Sequence, residues 1–152
     1  MIDELQNTLQ TELPVTQHLG IRVASAEPER VTLTAPLDSN RNHKGTAFAG
    51  SLNAIATLAA WSWVWLLLRR HRLQAQVVIQ DSSITYERPA TSDFAATCVA
   101  PEAAAISRFL AALRRRGRGR IRLTVQMHDR AGPAVTFSGR YVAAAAPHGS
   151  AA

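Results

Sequence analysis

The sequence predicts an α+β domain in which one antiparallel sheet curls around a single long buried helix. Three observations carry this. The 24 residues from Gly45 to Leu68 contain no charge. Segments on both sides of that run alternate apolar and polar residues with period two, the patterning of strands with one buried face. The chain has 152 residues, 47% of them hydrophobic, which suits one domain burying about two-thirds of its unfolded surface. A helix apolar on every side needs other elements wrapped around it.

The elements follow in order. Ile2, Leu5, Leu9 and Leu13 recur at three-to-four spacing, predicting a short amphipathic helix over residues 1–12 that stops at Pro14. From Gly20 to Leu37 the period becomes two: Ile21 and Val23, a Glu27-Pro28-Glu29 turn, then Val31, Leu33, Ala35 and Leu37, which together read as a hairpin. Residues 38–47, rich in Asn, Ser, Asp and Gly, form a polar loop. After the long helix come four strands at 76–88, 93–100, 118–128 and 134–143, with a helix opening at Pro101-Glu102 and running to Leu113. The third is the most regular, with Ile121, Leu123, Val125 and Met127 on one side and Arg120, Arg122, Thr124, Gln126 and His128 on the other. The domain is expected over 1–143, with 144–152 a low-complexity tail.

The uncharged run ends in Arg69-Arg70-His71-Arg72, so a membrane span with a basic flank is its rival reading. Ser51, Asn53, Thr57 and Ser62 interrupt it, and the flanking strands need a core to cover. A buried helix and no membrane partner are therefore expected. The N-terminus MIDELQNTLQ lacks the basic and apolar regions of a secretory signal, and the single Cys98 offers neither a disulfide framework nor a thiolate metal site. A cytoplasmic protein without metal or cofactor is the expectation. Cys98 itself reads as a small buried apolar residue.

Several motifs together resemble a known family. They are Leu19-Gly20-Ile21, Ala35-Pro36-Leu37, Asn40-x-Asn42-His43, Thr46-x-Phe48-x-Gly50-Ser51-Leu52, Leu58-Ala59-x-Trp61, Asp81-Ser82-x-Ile84-x-Tyr86, Asp93-Phe94 and Gly117-Arg118-Gly119-Arg120. Over residues 5–143 they are similar to the putative-thioesterase family of hot-dog fold, which also occurs as the C-terminal domain of YiiD-type proteins behind an acetyltransferase. No acetyltransferase domain fits in this length. The resemblance implies a hot-dog domain that dimerises edge to edge, as a homodimer or a dimer of dimers, with acyl-thioester sites at the dimer interface.

Thioester hydrolysis needs donors aimed at the oxygen that gains charge and a group that positions or deprotonates water. A helix start supplies the first, because its leading N–H groups are unpaired; here the expected oxyanion donors are the amides of Ala49 and Gly50. Gly50 has a plainer role open to it, close packing of the helix. Many hot-dog thioesterases resemble one another in carrying a carboxylate seven residues after the corresponding glycine. That position is Thr57, and no carboxylate lies between Asp38 and Asp81. The candidates for water activation and carbonyl contact are therefore Asn42 and His43 in the loop, and Asp81 with Ser83 on the strand. An ion pair for Asp81 and a loop-ordering bond for His43 are their structural alternatives. The spacing Asp38-x-Asn40-x-x-His43 is also similar to the signature of hot-dog enoyl-CoA hydratases, a lesser reading.

Net charge is +6, and residues 114–122 hold six arginines and no acid. Without that segment the chain carries eleven charges of each sign. The charge is therefore local, and with no aromatic interleaving it argues against a nucleic-acid partner. Arg116, Arg118 and Arg120 are expected to contact the phosphates of coenzyme A or of the phosphopantetheine arm of an acyl carrier protein. Trp61, Trp63 and Trp65 are expected to fill the core and line an acyl pocket. The function expected is hydrolysis of an acyl-CoA or acyl-carrier-protein thioester, with a non-catalytic acyl-thioester binding module as the alternative.

Overall fold

The computed structural model describes residues 1–146. Its elements are α1 (Ile2–Glu12), a one-turn α2 (Val15–His18), β1 (Arg22–Ala26), β2 (Arg30–Ala35), a 3-10 turn (Asp38–Asn40), α3 (Ala49–Arg70), β3 (Ala75–Tyr86), β4 (Phe94–Val99), α4 (Ala103–Arg116), β5 (Arg118–Asp129) and β6 (Gly132–Ala145). The six strands form one antiparallel sheet in the order β1-β2-β4-β5-β6-β3. All predicted elements are present. β6 runs two residues beyond the expected domain end, since Ala144 pairs with Gln76 and Arg118, and Ala145 with Ala75. Residues 147–152 of the expected tail lie outside the described residues.

α3 is long and apolar enough to cross a membrane by length and composition, but here the sheet encloses it. Ile55, Ala56, Ala59, Ala60 and Val64 are fully buried, facing the inner residues Leu33, Ala96, Val125, Phe137 and Tyr141. Small residues at 56, 59 and 60 let the strands approach the helix axis. Trp63 is buried and donates to Pro28 O at 3.1 Å, while Trp61 donates to Val77 O at 3.2 Å. The Tyr141 hydroxyl reaches from the sheet to Thr57 O at 2.6 Å, and burial pushes its pKa well above the usual phenol value. Cys98 is buried in the sheet core, where desolvation pushes its thiol up to about 12.

β5 keeps its alternation throughout, so Arg118, Arg120 and Arg122 all stand on the outer face. β3 does not. A bulge between Ile79 and Asp81 inserts one residue and reverses which side chains face inward. Val77 and Ile79 face α3 before it; Ser82 and Ile84 lie opposite the inner residues Gly139 and Phe137 after it.

The α3 start and the arginine groove

The chain enters α3 through a loop locked by two asparagines. Asn40 is buried; its Nδ2 donates to Leu19 O and Pro36 O at 2.8 Å, and its backbone carbonyl accepts Phe48 N at 2.7 Å. Asn42 Oδ1 accepts Lys44 N at 2.8 Å and Thr46 N at 3.1 Å, while its Nδ2 donates to Thr46 Oγ1 at 2.8 Å. The Asn42 amide is thus committed to ordering the turn, rather than presented to a ligand. His43 sits at the exposed tip with no hydrogen-bond partner among the described residues. Ala47 N then donates to Ala90 O at 2.9 Å, fixing the loop against the β3–β4 connection. That connection is itself clamped. Arg88 forks onto the buried carboxylate of Asp129, which also accepts Thr91 N at 2.8 Å and Ala131 N at 2.9 Å. The Arg88 guanidinium, followed by the two amides, holds the Asp129 carboxyl well below the usual range.

Phe48 precedes α3 with extended backbone and no side-chain cap, so the first N–H groups of the helix are left free, as at any uncapped start. The Phe48 ring packs over Gly50, in the space that a Cβ there would take. The Tyr86 hydroxyl donates to Ala49 O at 3.2 Å and ties the end of β3 to the helix start. From Gly50 an open groove of about 460 Å³ runs between α3 and β3, lined by Val15, Asn53, Ala54, Thr57, Leu58, Ile79 and Ser82. The Thr57 hydroxyl donates to Asn53 O at 2.8 Å. Apolar walls with an amide and two hydroxyls suit a chain ending in a carbonyl; among the described residues no ionisable side chain lines the groove.

The expected strand pair is placed differently. The spacing does put Asp81 and Ser83 on one face, but the bulge makes it the outer one. Asp81 pairs with Arg140 at 3.5 Å and Arg122 at 3.8 Å, and Ser83 lies opposite Ser138, which accepts from Arg122 at 3.2 Å. The inward position belongs to Ser82. Asn53 and Ser82 were not among the expected site residues, although Asn53 is one of the four polar residues that interrupt the uncharged run. Asp38 is exposed and pairs with Arg41 at 3.3 Å, so it does not join His43 in a dyad at the groove.

Arg116, Arg118 and Arg120 do come together, with two further arginines. A groove of about 500 Å³ between α4 and β5 is lined by Arg108, Ala112, Arg116, Arg118, Gly119 and Arg120. It adjoins a second, of about 360 Å³, that shares Arg108, Ala112 and Arg116 and adds Ala111 and Arg115. Gly119 lets α4 lie directly on β5, because a Cβ there would stand 2.7 Å from Phe109 O. None of these five arginines is in an ion pair among the described residues. Trp61 and Trp65, one helical turn apart, line a third cleft of about 450 Å³ with Leu68, Leu73 and the start of β3.

Comparison with known proteins agrees with this architecture. The family model described as "Putative thioesterase (yiiD_Cterm)" matches residues 2–145. A protein of unknown function from Chlorobaculum tepidum superposes with TM-score 0.91 at 29% identity, covering 95% of this chain and 94% of that one. A putative thioesterase from Shewanella oneidensis gives TM-score 0.84 at 28% identity, over 94% and 96% of the two chains. A Pseudomonas aeruginosa protein described as a probable thioesterase shares the fold, with TM-score 0.81 at 21% identity and 95% coverage of each chain.

Proposed function

We propose a reaction from the family to which this chain belongs, the putative thioesterases of hot-dog fold: a cytoplasmic homodimer that hydrolyses acyl thioesters carried on coenzyme A or acyl carrier protein. The observation that carries this reading is the uncapped start of α3 opening at Gly50 onto an apolar groove with Asn53, Thr57 and Ser82 on its walls. The acyl chain lies along the groove and its carbonyl oxygen meets the N–H groups of Ala49 and Gly50. Water held by the Asn53 amide and the Ser82 hydroxyl adds to the carbonyl carbon, and its proton passes through the Ser82 hydroxyl to the departing sulfur. The oxygen gains charge where donors are already oriented, and collapse breaks the C–S bond to give a carboxylic acid and a thiol. The arginine groove takes the carrier's phosphates.

A second reading, an acyl-thioester binding module without turnover, is favoured by one specific observation: among the described residues of a single chain the groove holds no ionisable group. Free-thiol release from short, long and aromatic acyl-CoAs separates the two. Hydrolysis predicts thiol release that falls about 10- to 100-fold in Asn53→Ala and Ser82→Ala, with KM little changed. Binding of the thioesters with no release across the set refutes it. With a crotonyl thioester, loss of enoyl absorbance without free thiol would instead mark hydration. The buried Cys98 thiol, with its raised pKa, leaves the native protein silent to the thiol reagent.

A further inference from the structure

We propose that the α3 groove sets acyl length: it takes an unbranched chain of about eight to ten carbons, and Trp61 is the wall on which that chain ends. This rests on the acyl-thioester reading given above and deepens it. From Ser51 to Leu66 the residues of α3 that keep some exposure are Asn53, Ala54, Thr57, Leu58, Trp61 and Trp65, and all the others are buried. Their spacing of three to four residues places them on one face of the helix. That face meets β3 in two stretches. The groove from Gly50 reaches Leu58 on the helix and Ile79 on the strand; the cleft of about 450 Å³ begins at Trp61 and Val77. The Trp61 indole stands between them, and its Nε1 donates to Val77 O at 3.2 Å. That bond ties helix to strand and holds the ring across the line from one cavity to the other. Polarity falls along the first stretch, from Asn53 near the helix start to Leu58 before the wall, which suits a carbonyl at Gly50 and a methyl end at Trp61.

Two lengths agree on what fits. From Gly50 to Leu58 the helix rises about 12 Å, and from Ser82 to Ile79 the strand advances up to about 10 Å. An extended alkyl chain gains about 1.3 Å per carbon. With the carbonyl carbon at Gly50, the space in front of Trp61 is therefore filled at about eight to ten carbons. Beyond the wall the cleft continues along the helix for about 12 Å, from Trp61 to Arg69. Its sides there are apolar, formed by Trp65, Leu68 and Leu73. Its far end is closed by Arg69, which stacks on Trp65 at 4.8 Å from the ring centroid and pairs with Glu4 at 3.3 Å. The second cavity would accept the rest of a longer chain, and the Trp61 ring is what separates it from the first.

A series of S-alkyl-CoA thioethers of increasing chain length tests this, because their binding needs no turnover. In the parent, affinity should rise about two- to threefold per added methylene and break, levelling off or falling, at about ten carbons. Trp61→Leu removes the indole and its bond to Val77 O while keeping an apolar side chain, and should carry the rise on by about four carbons or more. Leu58→Trp sets an indole about 4.5 Å nearer the helix start and should bring the break down by about three carbons. The two variants move the break in opposite directions, so either one that is folded by circular dichroism reads the result. A break at the parent's length in the folded variants overturns the proposal, as does parent affinity that climbs evenly through the whole series. No thioether binding by the parent overturns it together with the groove as an acyl site, and a changed elution volume in Leu58→Trp would then assign the corridor to a second copy. Thioether binding without thioester hydrolysis refutes only the hydrolytic reading, and the position of the break still decides this one.

Discussion

The two edges of the sheet are finished in opposite ways. β1, only five residues long, is covered: Gln6 of α1 donates to Ile21 O at 3.1 Å and accepts Val23 N at 2.8 Å, so a side chain occupies the backbone groups of the edge. β3, at twelve residues, has no such cover among the described residues, and the cleft and groove on its inner side open toward solvent. A long open edge invites pairing with another chain, and soluble proteins blunt it unless it has a partner. Here one edge is closed by the chain itself and the other is open among the described residues, beside the residues of the candidate site. Oligomerisation and activity should therefore depend on the β3 edge and be indifferent to the β1 edge.

The largest effect is expected from placing charge on the open edge. Val78→Lys with Thr85→Lys, both on the outer face of β3, sets like charges against each other wherever two such edges meet. The double variant should run as a folded monomer by size-exclusion chromatography and lose about 100-fold or more of thioester turnover. A monomer of undiminished activity would show that the open edge has no part in the site.

The end of the open strand has a clamp of its own, Arg88 on Asp129, which joins the chain just past β3 to the end of β5. Asp129→Asn leaves the guanidinium without its anion in a place where the carboxylate is buried, and should lower Tm by roughly 10 °C. The native carboxyl pKa is depressed. Its contribution is thus fully present above the unfolded value of about 4 and is lost as pH falls through the lower folded value. The Tm gap between parent and variant should accordingly be constant at neutral pH and narrow below about pH 4. A gap that widened on acidification would contradict the assigned charge state.

Strand and helix placement was legible because each element carries a pattern of its own period: two in β5, three-to-four in α1, and unbroken apolarity in α3. The grouping of Arg116, Arg118 and Arg120 was legible for the same reason, since β5 never leaves its alternation. Site geometry was not. Val77, Ile79, Asp81 and Ser83 read as one face of a regular strand, yet the bulge at Gln80 and Asp81 turns the last two outward and Ser82 inward. A bulge has no composition that marks it in this segment. The distance between the arginines and the helix start was hidden too, because it depends on α4 packing at the far end of α3, where Arg114 Nη2 approaches His71 Nδ1 at 3.4 Å. Asn42 and His43 share a loop in which backbone geometry, invisible to spacing, engages one and exposes the other.

A smaller effect belongs to the covered edge. Gln6→Ala removes both hydrogen bonds, to Ile21 O just before β1 and from Val23 N on it, and leaves those two part-buried groups without their side-chain partner. The cost should be about 1–2 kcal/mol by denaturant titration, with the elution volume and kcat of the parent. If Gln6→Ala instead produced higher oligomers at low concentration, the side chain would be acting chiefly as a guard against pairing at β1. The contrast between the two edges would then be sharper still.

The smallest effect is expected at Asp81, the residue whose sequence setting pointed most directly to catalysis. On the outer face, half exposed between Arg122 and Arg140, it makes ion pairs of the kind worth about 0–1 kcal/mol in water. It lies on the opposite side of β3 from the groove. Asp81→Asn should keep kcat within about twofold of the parent and shift Tm by no more than a few degrees, while Ser82→Ala, one residue along and facing inward, depresses kcat. Adjacent residues on one strand then report on opposite faces of the sheet. A collapse of kcat in Asp81→Asn, with Ser82→Ala silent, would mean that the working register of β3 lacks the bulge, and that the site is built on the other parity of the strand.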